Sequence, residues 1–157
     1  DDRVACVGTN GCGQLGLGDT VTRSALQVIG DGFRAPFITS QSKDTCSLTS
    51  DGEVFCWGCN EWGQHAQGHT NDGLVPVQVP WLGPGVQKLS CGQSDCCALY
   101  QDRWVCWGGN YYGPLGLGHN DDIGATSANN GLEQATVYHN PTTTTTTTTT
   151  TITTTTT

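Results

Sequence analysis

The sequence predicts an all-β fold of propeller-type blades, built from antiparallel strands in an incomplete or open array and followed by an extended threonine-rich tail. Three observations carry this expectation. A glycine-rich motif recurs at a 50-residue offset, β-prone segments alternate with tight turn signals, and the chain closes on a tract of nearly pure threonine. A period near 50 with strand-like content is how a propeller blade reads in sequence, because each unit can bury its faces only against its neighbours.

The repeat comes first. Val4-Ala-Cys-Val-Gly-Thr-Asn-Gly-Cys-Gly-Gln-Leu-Gly-Leu-Gly18 aligns without a gap on the stretches that begin at Val54 and Trp104. Cys6, Cys56 and Cys106 correspond, as do Gly8, Gly58 and Gly108, then Asn10, Asn60 and Asn110, then Gly13, Gly63 and Gly113. The chain divides accordingly into a partial first repeat (1–20), a second (21–70), a third (71–120), a degenerate connector (121–140) and the tail (141–157).

Within the second repeat, Thr45-Cys-Ser-Leu-Thr and Glu53-Val-Phe-Cys-Trp flank Ser50-Asp-Gly and read as a hairpin, with Gly52 at the left-handed position of a three-residue loop. That register sets Cys46 opposite Cys56 and Leu48 opposite Val54. In the third repeat only Gln101-Asp102 separates the strands, so the loop is one residue shorter. Cys97 nevertheless faces Cys106, and Leu99 faces Trp104.

Nine cysteines constrain the chemistry. No metal-ligand spacing persuades: Cys91, Cys96 and Cys97 are the only close group, and His65, His69, His119 and His139 sit in glycine-rich or polar contexts that read as solvated loops. No metal or other cofactor is expected. Disulfides fit better and imply an oxidising compartment. Cys46–Cys56 and Cys97–Cys106 are the expected bridges, since opposite positions of an antiparallel hairpin bring β-carbons within disulfide reach. Cys6, Cys12, Cys59, Cys91 and Cys96 remain unassigned. Cys6 occupies a second-strand position whose partner would lie before Asp1, which leaves it free, separated from its mate, or bonded to another chain.

Charge narrows the partners. Fourteen acidic against six basic residues give a net charge of −8, and Arg3, Arg23, Arg34, Lys43, Lys88 and Arg103 are scattered singly. Phosphate binding needs a clustered positive surface, so nucleic acid is not an expected partner. No apolar run approaches the roughly 18 residues of a membrane span. The absence of methionine reads as a processed or truncated piece of a longer protein.

No catalytic constellation assembles. Serines lack a nucleophile elbow, and Asp44, Asp51, Asp95 and Asp102 read as turn formers rather than acid–base groups. The asparagine series reads as capping tight turns. Trp57 and Trp107 read as blade packing, whereas Trp62, Tyr111 and Tyr112 lie in the following loops as ligand-contact candidates.

The pattern Cys46-Ser-Leu-Thr-Ser-Asp-Gly-Glu-Val-Phe-Cys-Trp-Gly, continuing through Asn60 and Gly63-Gln64, resembles the regulator-of-chromosome-condensation repeat. The cysteine-bearing form is similar to that of secreted members, and the resemblance covers about residues 1 to 120. It implies blades that close a seven-bladed ring, which three copies of one motif cannot do. Nucleotide exchange on a small GTPase, which nuclear members imply, is set aside here on the cysteine content and acidic balance.

The tail is different material. Thr142, Thr143, Thr144, Thr145, Thr146, Thr147, Thr148, Thr149, Thr150, Thr151, Thr153, Thr154, Thr155, Thr156 and Thr157 are interrupted only by Ile152. Such a tract cannot build a core, and beside proline it reads as an O-glycosylated, extended connector. The resulting expectation is a non-enzymatic, secreted structural subunit of an extracellular fibre, coat or glycosylated surface stalk. Its partners would be copies of itself in a homo-oligomer or filament and covalent O-linked glycans. The alternative is a secreted binding or inhibitor module recognising another protein or a glycan.

Overall fold

A computed structural model of the chain describes residues 2–30, 32–129, 131 and 136–139, the last four through their backbone. Ten strands are described: β1 Ala5–Gly8, β2 Arg23–Val28, β3 Phe37–Gln41, β4 Asp44–Leu48, β5 Val54–Gly58, β6 Gly73–Gln78, β7 Val86–Cys91, β8 Asp95–Tyr100, β9 Arg103–Gly108 and β10 Thr136–His139. They form three antiparallel sheets: β1-β2, β3-β4-β5-β6 and β10-β9-β8-β7. These are blades in an open, unclosed propeller-like arrangement.

Turn chemistry fixes the registers. Between β4 and β5, Gly52 holds φ +79° and its N–H donates to the Thr49 carbonyl at 3.0 Å, which leaves Cys46 opposite Cys56 and Leu48 opposite Val54. Between β8 and β9, Gln101 and Asp102 both adopt positive φ, 51° and 59°, as a two-residue primed turn requires. Cys97 then lies opposite Cys106 and Leu99 opposite Trp104. The segment read as a degenerate connector contributes β10, whose Thr136 pairs with Cys106 and His139 with Arg103. It takes the place beside β9 that β6 holds beside β5. An edge strand recruited across a long loop needs no turn signal next to it, so the sequence did not mark it.

Strands β1, β5 and β9 are each followed by a loop folded around one asparagine. Asn10, Asn60 and Asn110 are fully buried. Their Oδ1 atoms accept the N–H of Leu15, His65 and Leu115 at 2.9, 2.9 and 3.1 Å, and their Nδ2 groups donate to the carbonyls of Asp19, His69 and His119 at 2.8 Å. One side chain thereby satisfies polar backbone that the tight loop would otherwise bury unpaired.

The blades are joined through those loops. The indole Nε1 of Trp57 donates to the Gln14 carbonyl at 2.9 Å, and that of Trp107 to the Gln64 carbonyl at 2.9 Å. Both tryptophans are fully buried. They therefore tie one repeat to the one before it, beyond the packing role that their positions in sequence suggested. Gly63, at φ +75°, lets the second loop close against the third blade, where a Cβ would lie 2.6 Å from Ala125 Cα. The main core spans the second and third blades, with Val54, Leu89, Val105, Leu115 and Ile123 among its members. A smaller cluster of Val4, Ile29, Ala35 and Trp57 joins the first blade to the second.

Candidate functional site

The turns entering β4 and β8 and the asparagine-folded loops after β5 and β9 converge on one face, where they enclose a cleft of about 530 Å³. Lys43 and Asp44 come from one turn and Gln93 and Ser94 from the other. The loops add Glu61, Trp62, Tyr111, Tyr112 and Pro114. Because each asparagine anchors its loop from within, the intervening side chains are turned outward: Trp62 is 41 % exposed, Tyr111 66 % and Tyr112 92 %. The two tyrosine rings meet edge to face at 4.8 Å. The structure thus gathers the three aromatic candidates at one cleft.

Asp44 was missed as a site residue. It opens β4 as Asp95 opens β8, and it is buried rather than a solvated turn former. Loss of hydration, reinforced by the nearby Asp95 carboxylate, raises its carboxyl to about 7. Burial also raises Asp95. Asp44 consequently exchanges its proton near neutral pH and can donate or accept a hydrogen bond at the cleft. Asp51 and Asp102 do lie in hairpin turns.

His65 corrects the solvated-loop reading. It fills the position that Leu15 and Leu115 fill in the other repeats and is as buried as they are. One face bonds the Trp57 backbone while Nε2 has no partner, and burial lowers its basicity to about 4. His69 and His119 remain in loops, where their Nδ1 atoms accept the N–H of Asn71 and Asp121.

The cysteine sulfurs approach one another in four disulfide pairs: Cys46–Cys56, Cys97–Cys106, Cys12–Cys59 and Cys91–Cys96. Cys12–Cys59 links the loops of two repeats and Cys91–Cys96 crosses the β7–β8 turn, contacts that no hairpin register in the sequence announced. Cys6 is free, and burial raises its thiol. Among the described residues, two groups bring three possible metal ligands within 4.8 Å of one another: Cys46, Cys91 and Cys96, and Cys12, Cys59 and Asp72.

Glycine-built blades tied by indole-to-carbonyl bonds, with an aromatic-rimmed cleft on the loop face, define a β-propeller repeat module. Residues 51–99 match the family model described as regulator of chromosome condensation (RCC1) repeat. The chain is 32 % identical over 126 residues to the ultraviolet-B receptor UVR8 of Arabidopsis thaliana, covering 78 % of this chain and 29 % of that one. It is 34 % identical over 124 residues to human protein RCC2, covering 73 % and 22 %. Among solved structures, human WBSCR16 superposes with a TM-score of 0.64 at 25 % identity over 70 % of this chain and 29 % of that one. Prp20p of Saccharomyces cerevisiae superposes with a TM-score of 0.66 at 18 % identity, over 90 % and 35 %. The chain therefore spans about a third or less of the length of these relatives. RCC1-type repeat domains are non-catalytic protein-interaction modules.

These findings correct the compartment and everything built on it. The relatives are nuclear or cytoplasmic proteins, which overturns the secreted form of the family, the extracellular localisation and the fibre, coat or stalk subunit. Yeast Prp20 binds Gsp1p and histones and has been solved bound to Kap60, so self-assembly into a filament and O-linked glycans are not supported as partners either. The physical reason lies in what cysteine does here. Cys46, Cys56, Cys96 and Cys106 are almost wholly buried among aliphatic side chains, surroundings that cysteine occupies in proteins of any compartment, so the number of cysteines alone does not report an oxidising one. The threonines offered for glycosylation, 142–151 and 153–157, lie outside the described residues.

Proposed function

We propose that the chain is a protein-docking module whose partner seats on the aromatic-rimmed cleft between the second and third blades. The observation that carries this is the exposure of Trp62, Tyr111 and Tyr112 around one concavity. Large aromatics held outward by a rigid loop supply contact area at low entropic cost, and they dominate protein interfaces. The net charge of −8 favours a basic partner, because complementary charge speeds encounter and excludes acidic competitors. At the cleft itself Glu61 is exposed beside Lys43, so the acidic bias toward a basic partner comes from the chain as a whole.

Prp20p, which binds Gsp1p and histones, supplies the first ligands to try. The objection to a small GTPase partner rested on an oxidising compartment and lapses with it. Core histones are the preferred probe on charge, with Gsp1p as the comparison. Binding to histones measured by calorimetry should weaken by about 30-fold or more in Trp62→Ala and in Tyr111→Ala, the loss of one interface hot spot. Unchanged affinity in both variants would remove the cleft from the interface, and no affinity of the parent chain for either probe would remove the basic-partner reading.

A further inference from the structure

We propose that the cleft takes up one arginine side chain of the docked partner, its guanidinium lying against the aromatic rim and pairing with the carboxylate of Asp44, an assignment that rests on the cleft being the docking surface. Rim and inner wall differ in kind. Trp62, Tyr111 and Tyr112 are exposed at the rim, and the two tyrosine rings stand at 87° to one another. Asp44 lines the same cleft yet is 2 % exposed, so it belongs to the inner wall. Its carboxyl bonds its own backbone N–H, and among the described residues no other side chain forms a hydrogen bond or ion pair with it. Ring faces attract a cation, and a carboxylate beyond them accepts its hydrogen bonds. A guanidinium suits that order better than an ammonium, because it is planar, weakly hydrated and forked.

The charges around Asp44 point the same way. Its sheet neighbours β3 and β5 carry no charged residue. Across the blade joint, β8 brings Asp95, whose carboxylate opposes ionisation of Asp44, and β7 carries Lys88, which is exposed. Lys43 and Glu61 at the cleft are exposed as well. The loop of Gln14, which packs beside Gly58, carries Asp19, already paired with Arg23. His65, in the loop after β5, is held neutral by its burial. The buried carboxyl therefore has an acidic neighbour and no buried cation beside it. An entering guanidinium supplies the counter-charge, and it pairs with the ionised form. The step balances: the O–H bond of the Asp44 carboxyl breaks, its proton passes to the buffer, and the guanidinium keeps its own protons throughout.

The test is calorimetry of the full chain with core histones as the probe, at pH 6 and pH 8. With the Asp44 carboxyl raised to about 7, binding should be about tenfold tighter at pH 8 than at pH 6, and at pH 6 close to one proton should be released per chain bound, read from buffers of different ionisation enthalpy. Asp44→Asn should weaken binding by about 30-fold at pH 8, the loss of one partner of a buried charge pair, and should abolish the proton release. At pH 6, where the parent carboxyl is itself mostly protonated, the same variant should come within about fivefold of the parent, which a misfolded chain would not. Asp95→Asn should keep the affinity at pH 8 and move the pH midpoint downward. Histones whose arginines have been converted to citrulline should bind more weakly than histones acetylated on lysine, and equal or reversed order overturns the choice of arginine. Weakened binding in Trp62→Ala, with Asp44→Asn matching the parent at both pH values, overturns the Asp44 pairing and leaves the docking cleft standing. A slope that persists in Asp44→Asn belongs to His69 or His119 and overturns it equally. A parent chain with no affinity for histones removes the inference together with the preferred partner.

Discussion

His65 and Asp44 set two opposed pH dependences, and separating them is a direct test of the electrostatics of the blade core. His65 has its folded value depressed from 6.5 to about 4. The unfolded chain therefore binds the extra proton between about pH 4 and 6.5, and stability from this group is present above 6.5 and lost as pH falls through that window. At 1.36 kcal/mol per unit, the loss is roughly 3 kcal/mol. Asp44 is raised from 3.8 to about 7. Its contribution is full below 3.8 and is lost as pH rises through 7, a change of roughly 4 kcal/mol in the opposite sense. Asp95, also raised, adds to the Asp44 direction. Between pH 4.5 and 6.5 the two slopes nearly cancel in the parent chain. His65→Leu, which installs the residue found at positions 15 and 115, removes one of them. Its stability should fall by about 2 to 3 kcal/mol between pH 4.5 and 6.5, relative to the parent profile. Asp44→Asn should rise by a similar amount over the same interval, and the double variant should lie between the two single variants, with the residual slope that Asp95 sets. Urea unfolding at three pH values reads all four profiles. Parallel profiles for the parent and His65→Leu would refute the buried neutral histidine, and parallel profiles for the parent and Asp44→Asn would refute the raised carboxyl.

Three further expectations concern the joints and the rim. Gly63→Ala combines positive φ with backbone contact at Ala125, so it should cost more than the roughly 1 kcal/mol of backbone strain alone, read as a lower urea midpoint. Trp107→Phe keeps the ring but strands the Gln64 carbonyl, which should cost about 1 to 3 kcal/mol; a change below about 0.5 kcal/mol in thermal unfolding would show that the tie is dispensable. Tyr112→Ala removes a side chain that is 92 % exposed and should leave stability within about 0.5 kcal/mol of the parent while changing partner affinity, measured side by side on one preparation.

Much of the fold was legible because local turn chemistry dictates it. Gly52 and the Gln101-Asp102 pair fix hairpin registers from a few residues, and the asparagine series announces folded loops wherever it recurs. What could not be read depends on contacts between repeats. Asp44 looks like a turn residue until Asp95 and the adjoining loops remove its water. His65 looks polar until the repeat alignment is taken literally and the histidine is given the surroundings of Leu15 and Leu115. The cysteines were the most misleading feature. Their number was read as a statement about compartment, whereas buried cysteine is found in proteins of every compartment. Strand β10 was missed for a related reason, since it is defined by the partner it joins rather than by its own flanks.

The indole tie spans 43 residues in both repeats, from Gln14 to Trp57 and from Gln64 to Trp107. Inside that span the chain has nevertheless been edited. The hairpin tip lost a residue between the second repeat and the third, and the stretch 79–88 gained one over its counterpart 29–37, next to the register shift at Val86/Lys88. Length can thus drift at the tip and at the bulge while the hinge pin between units stays where it was. The tip at Gln101-Asp102 is accordingly a place where foreign loops could be grafted onto this scaffold without disturbing how one unit meets the next.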